Sequence, residues 1–136
     1  MGQLVSGKEH KSGYETNPGH LLRVLPAGRH VRVTANGETI AETSNALELF
    51  EGDYAPAFYI PRADVKMHLL RSTGSHTWCP FKGEANYWTI KAGDKEISDA
   101  VWSYEDPFVE MADIKGYMAF YPDKVTITAD PAPRKP

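Results

Sequence analysis

The dipeptide Asn36-Gly37 constrains this chain more than any other feature. It separates Val31-Arg32-Val33-Thr34 from Thr39-Ile40-Ala41-Glu42, two short runs in which apolar and polar residues alternate. A two-residue reversal whose twist suits the flanking strands needs positive φ at both central positions, and Asn followed by Gly accepts that at low cost. The spacing predicts an antiparallel β-hairpin.

Comparable runs recur along the chain. Ala57-Phe58-Tyr59-Ile60 is aromatic and β-branched and stops at Pro61. Ala85 to Ile90 reads as a strand, Ala92-Gly93-Asp94 as a turn and Glu96 to Tyr104 as the returning strand. Tyr117 to Tyr121 and Val125 to Thr128 read as a last hairpin across Pro122-Asp123-Lys124. Ala46 to Glu51 fits either a strand or one helical turn, because periodicity over so few residues does not separate the two. Pro61 suits the first position of a helix, which would carry Val65, Met67, Leu69 and Leu70 and end at Ser72-Thr73-Gly74-Ser75. Met111 to Ile114 reads as a short turn.

The sum is about six to eight mostly antiparallel strands. The fold class expected is mainly β, a small antiparallel barrel or a bent two-sheet sandwich with at most one short helix. At 136 residues the chain is long enough for one core and too short for two. Residues 1–20 are polar, include the turn signal Asn17-Pro18-Gly19-His20, and read as a flexible N-terminal arm. Residues 21–129 form the single mainly-β domain, and 130–136 form a frayed Pro-rich tail.

Charge and composition exclude several function classes. A formal charge of −3, with Lys and Arg totalling 15 and scattered, gives no electrostatic footprint for nucleic acid. No apolar run approaches the roughly eighteen residues a membrane-spanning helix needs, and no secretory apolar segment follows Met1, so a cytoplasmic protein is expected. The single cysteine agrees with a reducing compartment and rules out a multi-cysteine zinc site.

Reactive and flat groups concentrate in Thr77-Trp78-Cys79-Pro80-Phe81-Lys82-Gly83-Glu84-Ala85-Asn86-Tyr87-Trp88. With Tyr59-Ile60-Pro61-Arg62-Ala63-Asp64-Val65 upstream and Trp102-Ser103-Tyr104-Glu105-Asp106-Pro107 downstream, this stretch resembles the domain of unknown function 427 family, small and mostly bacterial domains. The resemblance runs from about Asn17 to about Val125 and implies a compact, mainly β domain. A nucleotidyltransferase label that the family sometimes carries would require paired carboxylates on a strand after a Gly-Ser or Gly-Gly turn, holding two magnesium ions. Glu51-Gly52-Asp53 and Glu105-Asp106 are the nearest clusters, and neither has that arrangement.

The side chains themselves indicate a lined pocket. An ammonium near Cys79, such as that of Lys82 across a tight turn, favours the nucleophilic thiolate, although a free cysteine is more often a small buried packing group. Lys82 with Gly83 could hold an anion, and Arg62 could fork onto one. Asp64 could act as a general base or serve only as a helix-terminal carboxylate. If the strand of Tyr87 pairs with that of Trp102, alternate rings share one side of the sheet, and Tyr59, Tyr87, Trp88, Trp102 and Tyr104 could enclose a flat ligand or simply form core. His10, His20, His30, His68 and His76 follow no metal-ligand spacing, and neither a metal nor a particular cofactor is indicated.

The leading expectation is a pocket for a small anionic or flat molecule. If the domain catalyses a reaction, Cys79 or Lys82 is the candidate nucleophile, with Asp64 or a tyrosine moving protons. The alternative is a non-catalytic module that binds a protein or peptide, which would present an exposed apolar patch.

Overall fold

The computed structural model describes residues 22–130; the N-terminal arm and all but the first residue of the Pro-rich tail lie outside them. Ten strands are present among the described residues: β1 (Leu22–Pro26), β2 (Val31–Ala35), β3 (Glu38–Thr43), β4 (Leu47–Glu51), β5 (Ala57–Tyr59), β6 (Leu70–Cys79), β7 (Gly83–Ala92), β8 (Lys95–Ser103), β9 (Met118–Phe120) and β10 (Thr126–Ala129). They form three antiparallel sheets, β1-β4-β5, β10-β2-β3 and β6-β7-β8-β9. None closes into a barrel, so the sandwich alternative describes the domain. No helix among the described residues is long and apolar enough to cross a membrane.

The Asn36-Gly37 hairpin forms as its chemistry requires, with φ of 50° and 78° at the two turn residues and Ala35 opposite Glu38. Its tip is docked as well, since the Asn36 side-chain amide donates to the Ala92 carbonyl at 3.0 Å. Of the stretch Ala46 to Glu51, Leu47–Glu51 resolves as strand, pairing β1 on one side and β5 on the other.

Two expected elements are replaced. The helix beginning at Pro61 is instead two single 3-10 turns, Arg62–Asp64 and Met67–Leu69. Between them Val65 is extended, with φ −110° and ψ 137°, and forms a bridge to Ala41, while the Lys66 amide donates to the Ile40 carbonyl. The edge of β3 therefore takes the hydrogen bonds that a helix would have made internally. Ser72 to Ser75, expected to end that helix, is a bulge inside β6, where the register jumps between Ser72 and His76. The Asp99 carboxylate secures the bulge by accepting from the Thr73 and Ser75 hydroxyls at 2.8 and 2.9 Å.

The last hairpin does not form either. β9 pairs with β8 on one side, and on the other Met118 exchanges two backbone hydrogen bonds with Ile60. Both edges of β9 are taken at its start, so the chain crosses over and β10 joins β2. The Ile60–Met118 bridge also links the β1-β4-β5 sheet to the β6-β9 sheet.

The pleat of β7 and β8 divides the interior. Trp88, Ile90 and Ala92 of β7, with Ala100 and Val101 of β8, face an aliphatic core shared with Val31, Val33 and Ile40. Ala85, Tyr87 and Trp102 face the other side, toward Leu49, Tyr59, Tyr104 and Ala119.

Candidate functional site

The second face holds a half-enclosed pocket of about 290 Å³. Tyr59, Lys82, Tyr87, Trp102 and Tyr104 line it, joined by Leu49, Glu51, Tyr54, Ala55, Ala57, Thr77 and Tyr121. Sequence distance matters little here, because antiparallel pairing sets Tyr87 directly opposite Trp102 and β5 runs alongside β4, which carries Leu49 and ends at Glu51.

The rings contact one another in a chain. Tyr59 meets Trp102 edge to face with centroids 6.1 Å apart, Trp102 lies 4.5 Å from Tyr121 at a tilt, and Tyr121 is parallel to Tyr87 at 6.3 Å. Hydroxyls tie the same groups together. The Trp102 indole N–H donates to the Tyr59 oxygen at 3.2 Å, and the Tyr87 hydroxyl is bonded to Thr77 at 2.8 Å and to Tyr121 at 3.1 Å. Burial pushes the Tyr59, Tyr104 and Tyr121 hydroxyls well above the usual tyrosine range. These groups are neutral hydrogen-bonding phenols at ordinary pH and poor candidates for a general base.

Lys82 owes its place to the turn between β6 and β7. Cys79 pairs with Gly83, and the intervening loop is anchored where the Phe108 amide donates to the Lys82 carbonyl at 3.3 Å. Gly83 has φ 110°, a conformation that side-chain-bearing residues rarely adopt, and it rests on the backbone of Asp106 to Phe108. From this turn the Lys82 ammonium reaches the Glu51 carboxylate at 2.8 Å, with side-chain exposures of only 12% and 18%, and it lies 5.9 Å from the centre of the Tyr104 ring. The positive charge at the wall is therefore balanced inside the pocket.

The remaining candidates from the sequence lie elsewhere. Cys79 is partly buried and packs against the aromatic cluster without lining the pocket. Gly83 is covered by the Asp106 to Phe108 strap. Asp64 accepts a 2.6 Å hydrogen bond from Thr43 and lines a different surface hollow with Thr39, Ala63 and Lys66. Arg62 pairs with Glu105 at 2.9 Å and lies over the ring of Trp88. Trp88 itself is in the aliphatic core, because the pleat turns it away from its neighbour Tyr87. Among the described residues no group of three or more His, Cys, Asp or Glu side chains is placed to hold a metal ion.

A family model described as a domain of unknown function (DUF427) matches residues 23–131. The chain belongs to the DUF427 family. No curated protein matches it. All the residues that line the pocket fall inside the DUF427 match, as do the two turns that carry Glu51 and Lys82 toward each other. Glu51, Tyr54 and Tyr121 were not among the sequence candidates. Tyr121 closes an aromatic run that the pattern assigned to a hairpin, and nothing local to Glu51 marks it as the partner of a lysine 31 positions away.

Proposed function

We propose that this DUF427 domain binds a small, planar, uncharged molecule in the Tyr59–Trp102–Tyr121–Tyr87 pocket. The observation that carries this reading is a ring of aromatic side chains around an unfilled space whose single lysine is already neutralised by Glu51. Flat faces favour a flat ligand. A free anion would have to compete with a carboxylate held at 2.8 Å, so of the two ligand types expected from the sequence the flat one is favoured. The volume is near the lower end for small-molecule sites and suits one or two fused rings. A peptide-binding module would need a contiguous apolar patch, whereas the large apolar side chains standing exposed among the described residues are Leu25, Tyr54 and Val109, on separate elements.

The test is a titration of the isotope-labelled domain with planar ring fragments and saturated counterparts of equal size, followed by nuclear magnetic resonance. Planar fragments are expected to move the Trp102 indole signal and the amides of Tyr59, Tyr87 and Tyr121, leaving the Trp78 and Trp88 indoles in place. Shifts absent from these residues, or equal for planar and saturated fragments, would refute the reading.

A further inference from the structure

The aromatic pocket does not end at its hydroxyls. Thr77, Tyr87 and Tyr121, bonded in a row at 2.8 and 3.1 Å, also line a second hollow of about 340 Å³, together with Ser75, Asp99, Asp123 and Lys124. The two spaces therefore abut along a shared sill of three hydroxyls. The polar groups that line the first space alone, those of Glu51, Tyr54, Tyr59, Lys82, Trp102 and Tyr104, take no part in the second. We propose that the second hollow takes a neutral, hydroxylated substituent, a vicinal diol, carried by the flat ring that lies in the first. The proposal rests on the planar-ligand reading above and adds the chemistry of the ligand's non-planar part.

Asp99 is the main acceptor. Its carboxylate accepts from Thr73 at 2.8 Å and from Ser75 at 2.9 Å, which uses two of roughly four acceptor positions. Those bonds fix the carboxylate, and the backbone beneath it is fixed too. The register jumps in β6 between Ser72 and His76 and in the β7–β8 pairing between Trp88 and Ile90, Asp99 has φ 50°, and its amide donates to the Thr89 hydroxyl at 3.4 Å. Bulges of this kind re-aim a side chain, so the acceptor is in place before a ligand arrives. The Lys124 ammonium donates to the Ser98 and Asp99 carbonyls at 2.9 and 3.4 Å, keeps a third N–H, and lies 5.6 Å from the centre of the Tyr121 ring. Asp123 adds an exposed carboxylate.

Other substituents fit less well. Two carboxylates against one ammonium leave negative charge in excess, which repels a phosphate or carboxylate. An amine would satisfy the carboxylates but offers no acceptor to Lys124 or to the sill, and it would meet an ammonium already held there. A hydrocarbon would cover the carboxylates without replacing the hydration they lose. Neighbouring hydroxyls can donate to a carboxylate in charge-assisted bonds while accepting from Lys124 and from the sill.

The probes are three coumarins that share one ring: 7-propoxycoumarin, its 2,3-dihydroxypropoxy analogue and its 3-aminopropoxy analogue, titrated into the isotope-labelled full chain. The Trp102 indole signal reports the ring, and the Ser75 and Asp99 amides report the substituent. The diol is expected to bind at least about fivefold more tightly than the propyl ether, as charge-assisted bonds at a partly exposed site allow, and to move the Ser75 and Asp99 amides further. Asp99→Asn should shrink that ratio and leave the propyl ether almost unchanged. Equal affinity for diol and propyl ether, or a larger gain for the amine, would overturn the diol proposal and leave the planar-ligand reading standing. No Trp102 response to any of the three would overturn both. The comparison among ligands uses the unaltered protein, so it decides the matter even where the variant fails to fold.

Discussion

One strand, β7, serves two interiors that differ in kind. On its even-numbered face Ile90 and Ala92 are fully buried and Trp88 nearly so, against Val31, Val33, Ile40 and Val101, all of them also inaccessible to solvent. These are mostly small or β-branched aliphatic groups, which close on each other without needing hydrogen bonds. The odd-numbered face carries Tyr87, whose neighbours are rings, hydroxyls and an ion pair around a space they do not fill. The contrast teaches that the first face builds the sandwich and the second is free to build a site. It also explains why neighbours in sequence such as Tyr87 and Trp88 have unrelated surroundings.

The sharpest way to break this comparison is to shorten one residue on each face. Ile90→Ala should cost about 3 kcal/mol, because the aliphatic core is too well packed to collapse around the gap. Tyr87→Phe loses the hydrogen bonds to Thr77 and Tyr121 and should cost about 1 kcal/mol. Denaturant titration measures both, and a Tyr87→Phe loss equal to that of Ile90→Ala would show that the aromatic face bears the fold as heavily as the other.

The ion pair comes next in size. Lys82→Met removes the 2.8 Å ion pair with Glu51 and should destabilise by about 2 kcal/mol, less than for a fully buried pair because both side chains keep some solvent contact. Replacing Glu51 with Leu in the same variant should restore most of the loss. No recovery in the double variant would mean that Lys82 holds the wall by packing and not by charge.

A smaller effect separates the tyrosines. The folded-state values of Tyr59, Tyr104 and Tyr121 lie above the unfolded value near 10. Each therefore contributes its full stability below the unfolded value, and the contribution falls as pH rises above it, since the unfolded chain then holds fewer protons. In an alkaline absorbance titration these three of the seven tyrosines should remain unionised until the chain unfolds. Full ionisation of all seven near the ordinary value, with the fold intact, would contradict the burial of these three hydroxyls.

The least effect belongs to the Asp99 contact at the β6 bulge. Hydroxyl bonds from Thr73 and then Ser75 hold its carboxyl below the usual range, so its contribution is present above the unfolded value and is lost as pH falls through the folded one. Thr73→Val with Ser75→Ala should slightly reduce the acid dependence of stability, seen as a smaller melting-temperature drop between neutral and acid pH. An unchanged acid limb would show that the hydroxyls do not tune Asp99.

Much of this molecule follows from short-range pattern. Asn36-Gly37 determined its hairpin because the backbone conformation is set by those two residues alone. Alternation and turn spacing determined the mainly β class and the pairing of the Tyr87 and Trp102 strands. That pairing, with the motif around Cys79, brought Tyr59, Lys82, Tyr87, Trp102 and Tyr104 into view. Tertiary structure decided what depended on competition among distant partners. The stretch after Pro61 broke into two short turns around an extended Val65 because β3 offered Val65 and Lys66 partners, and β10 left β9 because Met118 was already bonded to Ile60 while β8 took the other edge of β9. Asp64 and Arg62 went to other neighbours, while Glu51 and Tyr121 arrived at the pocket from strands far apart in the chain. A local pattern specifies backbone geometry and which face a side chain takes; which face meets which, and which charge meets which, is settled only when the sheets pack.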